Sequence, residues 1–105
     1  MTLQETIPSG TRVSSNSFLI TVKGDSMLGA GIRSGDVLVV DRAATPEEGK
    51  IVVASINNKL AVKRLSFDED GVQLLSENPA FSPLRVSRED KFEIWGVVKM
   101  SLRNA

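Results

Sequence analysis

Ile51-Val52-Val53-Ala54-Ser55-Ile56-Asn57-Asn58-Lys59-Leu60-Ala61-Val62-Lys63-Arg64-Leu65 holds two runs rich in β-branched and aliphatic residues, divided by an asparagine pair. Asparagine tolerates positive φ, so Asn57-Asn58 predicts a two-residue hairpin loop with strands over 51–56 and 59–65. The same pattern of short apolar run and turn extends in both directions. Towards the N-terminus, Val37-Leu38-Val39-Val40-Asp41 reads as a strand buried on both faces, preceded by a turn at Arg33-Ser34-Gly35-Asp36. Phe18-Leu19-Ile20-Thr21-Val22 reads as another strand, ending at Gly24. The glycine-rich segment from Ser26 to Ile32 has room for one helical turn at most. Residues 1–17, with Pro8 and Gly10, read as an extended or mobile arm in front of a domain over 18–105.

Towards the C-terminus, an acidic turn is predicted at Phe67 to Gly71, a strand at Val72 to Ser76, and irregular chain at Asn78 to Pro83. Leu84-Arg85-Val86 reads as a short edge strand. Phe92 to Ser101 reads as a long final strand, apolar on both faces near its centre, with Gly96 marking a bulge. Short strands in this number predict a mostly-β fold of curled sheets, without helical layers.

Composition narrows the chemistry. The 105 residues form one domain, and 13 basic side chains balance 13 acidic ones, so the chain lacks the overall basic charge of a nucleic-acid binder. There is no cysteine and no histidine, which excludes disulfides and argues against a zinc or transition-metal site. No cofactor is expected. No apolar run approaches the roughly 20 residues that cross a bilayer, and the N-terminus has no signal-peptide pattern. The expectation is a cytoplasmic protein with no membrane partner.

Without histidine or cysteine, nucleophilic catalysis would need a serine or threonine activated by lysine, a carboxylate or the terminal amine. Ser26, in Val22-Lys23-Gly24-Asp25-Ser26-Met27, is the best nucleophile, and Lys63 the best general base. Two-residue alternation puts Lys63 on the face of Ala61 and Leu65, where burial would disfavour its ammonium form; Arg64, on the other face, can stay solvated. The backbone N–H groups of Ser26 and its neighbours can converge as an oxyanion hole. Each feature also has a plainer reading: such a turn is ordinarily only a turn, and a strand lysine ordinarily snorkels to solvent. Asp25, Asp36 and Asp41 sit where aspartate makes local hydrogen bonds. Gly29-Ala30-Gly31 lacks the rest of a phosphate loop, and Trp95 reads as core.

Taken together, Gly24-Asp25-Ser26-Met27, Gly31-Ile32, Ser34 to Asp41, Gly49 to Ala54, Val62-Lys63-Arg64-Leu65, Leu74 to Asn78, Phe81-Ser82-Pro83 and Trp95 to Val98 resemble the LexA/UmuD family of self-cleaving Ser-Lys peptidases. The resemblance implies the curled β fold of the LexA C-terminal peptidase domain, with Ser26 as nucleophile and Lys63 as general base. No helix-turn-helix precedes the domain in this chain, which points to the UmuD-like branch. That branch implies a homodimer, processed on the RecA–single-stranded DNA filament in the SOS response. Its product serves an error-prone translesion DNA polymerase, DNA polymerase V, beside a UmuC-like catalytic subunit. Such proteins cut their own arm at a small residue followed by glycine. Ala30-Gly31 lies beyond the serine and Ser9-Gly10 is a poor substitute, so the expectation is a processed form whose cleavage site lies upstream of Met1. The alternatives are the peptidase and dimerisation domain of a LexA-like or phage repressor, and a plain β-rich interaction module.

Overall fold

Asn57 and Asn58 take positive φ angles of 51° and 69°, the pair of left-handed conformations that a two-residue hairpin needs. They join β4, Ile51–Ile56, to β5, Lys59–Asp68, with Ile56 paired to Lys59. The computed structural model describes residues 2–4 and 16–103. Its other strands are β1 (Thr2–Gln4), β2 (Ser17–Thr21), β3 (Val37–Asp41), β6 (Gly71–Leu75), β7 (Leu84–Arg85) and β8 (Phe92–Leu102). All lie in one antiparallel sheet, in the order β1-β2-β3-β8-β4-β5-β6-β7. The fold is mostly β, and a 3-10 turn at Leu28–Ala30 is its single helical element among the described residues. None of these elements is a helix long and apolar enough to cross a membrane. The arm expected over residues 1–17 falls largely outside the described residues; within it, Thr2–Gln4 pairs with β2, and Ser17 opens β2.

The apolar run of β3 is buried on both sides because the sheet has a core on each face. Leu38 and Val40 join Ile20, Val22, Met27, Ile32, Val53 and Val62 on one face. On the other, Val37 and Val39 pack with Leu19, while Val52, Ala54, Leu65, Leu74 and Val97 form a separate cluster. β8 reaches across both halves. Its residues 92–97 pair with β4 and its residues 97–102 with β3, with Trp95 and Lys99 as extra residues that shift the register. Gly96 therefore flanks a bulge, and a Cβ there would lie 2.7 Å from Val40 Cγ1 and 2.8 Å from the Asp41 carbonyl oxygen. The neighbouring Trp95 is half-buried and meets Phe18 edge-on at 6.3 Å.

Asp36 departs from the simple turn expected of it. It is only 2% exposed. Its carboxylate accepts from Arg33 N–H at 2.9 Å and from Arg103 Nε at 3.2 Å, while Arg103 Nη2 also donates to the Gly31 carbonyl at 2.8 Å. Burial works against the charge, but the Arg33 and Arg103 hydrogen bonds outweigh it and hold the carboxyl below its ordinary value. The far end of β8 is thus tied to the turn that follows the Ser26 segment.

Candidate active site

The Ser26 segment is fixed at both ends and in its middle. Val22 N–H donates to the Asp36 carbonyl at 2.9 Å, and Gly35 N–H returns a bond to the Val22 carbonyl at 2.8 Å. Met27, 2% exposed, anchors the segment in the core beside Val62. Residues 77–78 lie along the same segment. Glu77 N–H donates to the Ser26 carbonyl at 2.8 Å, Gly29 N–H to the Glu77 carbonyl at 2.6 Å, and Asn78 Nδ2 to the Asp25 carbonyl at 2.8 Å. The N–H groups of Asp25, Ser26 and Met27 have no hydrogen-bond acceptor among the described residues.

Gly29 is required here by space, not by phosphate binding. A Cβ at that position would lie 2.6 Å from the Glu77 carbonyl oxygen. Gly29→Ala is expected to push residues 77–78 off the Ser26 segment and to cost about 1–3 kcal/mol. Urea denaturation beside wild type measures this; an unchanged midpoint would refute the packing argument.

Lys63 lies on β5 where β6 ends its pairing. Arg64 pairs with Leu75, and that register continued by one residue sets Ser76 opposite Lys63. Lys63 Nζ donates to Ser76 Oγ at 2.6 Å and stands 5.3 Å from the Phe81 ring centroid. The side chain is half-buried, not fully inward: Lys63 still pairs with Val52 of β4, but the β6 pairing ends one residue away at Arg64. Burial still lowers the ammonium pKa from its ordinary value. Arg64, expected to be solvated, is also half-buried: it pairs with Glu77 and donates to the Gly49 carbonyl at 2.6 Å. It thereby braces the segment that holds Ser26.

Ser26 and Lys63 line one cavity of about 180 Å³, with Val22, Met27, Val62 and Phe81 among its walls. Among the described residues no hydrogen bond joins the two side chains; the lysine is engaged with Ser76 instead. A roomier hollow of about 340 Å³, walled by Arg42, Glu93, Ile94 and Trp95, contains neither a serine nor a lysine. Ser76, Glu77 and Phe81 entered the sequence reading only within longer segments, among them those that carry the family resemblance, with no role in the site. The signal for Ser76 was Gly71 alone: it takes a positive φ of 121° just after the turn residues Glu69 and Asp70 and pairs with Asp68, and the whole β5–β6 register follows.

The Peptidase S24-like family matches this chain over residues 2–99. Among curated proteins, the chain is 41% identical to the LexA repressor of Oleidesulfovibrio alaskensis over 81% of its own length and 41% of that protein's. It is 43% identical to the LexA repressor of Syntrophotalea carbinolica over 87% of its length and 45% of the relative's. Against the LexA repressor of Bordetella parapertussis the identity is 45%, over 76% of this chain and 37% of that one. The chain thus spans less than half the length of these relatives.

Proposed function

Because the chain belongs to the Peptidase S24-like family, we propose that it is a LexA-like self-cleaving serine peptidase domain, with Ser26 as nucleophile and Lys63 as general base. One observation carries this reading: a serine and a lysine distant in sequence line the same small cavity, and burial favours the lysine's neutral form. In the mechanism, neutral Lys63 takes the Ser26 hydroxyl proton as Oγ attacks the carbonyl of a small residue that precedes glycine. The N–H groups of Ser26 and its neighbours receive the developing oxyanion. The Lys63 ammonium then returns the proton to the leaving amine, and water releases the acyl group from Ser26. An arm peptide carrying Ala-Gly, supplied in trans across rising pH, tests the reading: cut product that increases with pH supports it, and an intact peptide throughout refutes it.

Of the two branches, the relatives named LexA repressor favour a repressor's peptidase and dimerisation domain, with a DNA-damage role, over the processed translesion-polymerase subunit. The UmuD-like role, with its RecA filament and UmuC-like partners, takes second place. A homodimer fits both. Beyond Val97, β8 pairs with β3 but no longer with β4, which among the described residues leaves a strand edge open to a second copy. Sedimentation at micromolar concentration is expected to give twice the chain mass; a monomer would contradict it.

A further inference from the structure

The geometry points to Ser76 as a positioning residue for Lys63, its hydroxyl holding the amine at the mouth of the cavity that contains Ser26. This deepens the peptidase reading and rests on it. The hairpin loop at Glu69 and Asp70 fixes the register, the register sets Ser76 opposite Lys63, and the 2.6 Å bond from Nζ to Oγ follows. Residues 77–78, the next two in the chain, are bonded to the Ser26 segment. One short stretch therefore holds the base by the Ser76 side chain and the nucleophile's loop by the Glu77 backbone and the Asn78 side chain. The other charged groups nearby are differently placed: Lys23 and Asp25 line the cavity, while Arg64 and Glu77 neutralise each other.

The chemistry needs such an anchor. A neutral amine has two N–H bonds and one lone pair, and only the lone pair can accept the Ser26 proton. An N–H held by Ser76 restrains rotation about Cε–Nζ and leaves the lone pair for the cavity. The same hydroxyl accepts from the ammonium after proton transfer. Hydrogen bonds to a charged group are stronger than those between neutral groups, so Ser76 also supports the protonated state. Removing it takes more from the ammonium than from the amine, and Lys63 should then titrate at lower pH.

The test is Ser76→Ala, with two readouts. Cleavage of the arm peptide at its high-pH plateau should fall about three- to tenfold, the equivalent of one neutral hydrogen bond. The Lys63 titration midpoint, followed by NMR on lysine-labelled protein and assigned with Lys63→Met, should move to lower pH. Ser76→Thr, which keeps the hydroxyl, should restore both. If either readout stands still in folded Ser76→Ala, the proposal is overturned. Should that variant not fold, Ser76→Cys, with its weak sulfur acceptor, takes its place under the same criteria. Failure of the peptidase reading looks different: Ser26→Ala would still cut, or wild type would not cut at any pH, whatever Lys63 titration shows.

Discussion

Ser26→Ala is expected to lose cleavage of the arm peptide by on the order of 10⁴-fold or more, because the proposed acyl intermediate forms on its Oγ, and Ser76, the hydroxyl bonded to Lys63, is not among the residues that line the cavity. The fold should barely register the change. The segment is held by backbone bonds, from Glu77 N–H to the Ser26 carbonyl and from Gly29 N–H to the Glu77 carbonyl, and by the buried Met27 side chain. Alanine keeps all of these. A stability change below about 0.5 kcal/mol is expected from the lost hydroxyl. Product release by the variant at a wild-type rate would remove Ser26 from the mechanism. An unfolded variant would show that the hydroxyl matters to the loop.

Lys63→Met should also lose most of the cleavage and should differ from wild type in how its stability responds to pH. Methionine keeps an apolar stem of similar shape and deletes the amine. Burial lowers the folded pKa of Lys63 beneath its unfolded value, so between the two the unfolded chain binds more protons and stability rises with pH. Below that window the wild type carries the penalty of a partly desolvated ammonium, which methionine lacks. The advantage of Lys63→Met should therefore be present near neutral pH and shrink as pH climbs towards about 10.4. Denaturation at pH 6 to 10 measures it. A gap independent of pH would mark Lys63 as an ordinary solvated lysine. Loss of the general base itself is expected to cost about 10²- to 10⁴-fold in rate. Lys63→Arg should be inactive too, since guanidinium keeps its proton.

Much of the architecture was legible because local chemistry decides it. Asn57-Asn58 could close a tight hairpin, the four consecutive apolar residues of β3 required a core on both faces, and Gly96 left space where Val40 and Asp41 crowd β8. What escaped the sequence depends on partners far along the chain. Nothing near Asp36 announces Arg103, and nothing near Arg64 announces Glu77. Ser76 was hidden by a turn drawn too broadly: reading Phe67 to Gly71 as one loop erased the pairing of Asp68 with Gly71, and with it the register that leads to Lys63. The serine and lysine themselves stood out because the absence of histidine and cysteine left few other candidates.

β8 is last in the chain and central in the sheet. Until it is present, the described strands form two separate ladders, β1–β3 and β4–β7. Ser26 follows the first ladder's β2, and Lys63 belongs to the second ladder's β5. During synthesis both residues leave the ribosome well before the strand that unites their ladders, and the Arg103 lock on Asp36 comes later still. A chain halted before Phe92 carries both halves of the candidate dyad and the 77–78 segment that bonds to the Ser26 loop, but lacks the strand that joins their ladders into one sheet. The arrival of β8, which pairs with β3 on one side and β4 on the other, is thus a structural precondition for the continuous sheet on which the candidate pair sits.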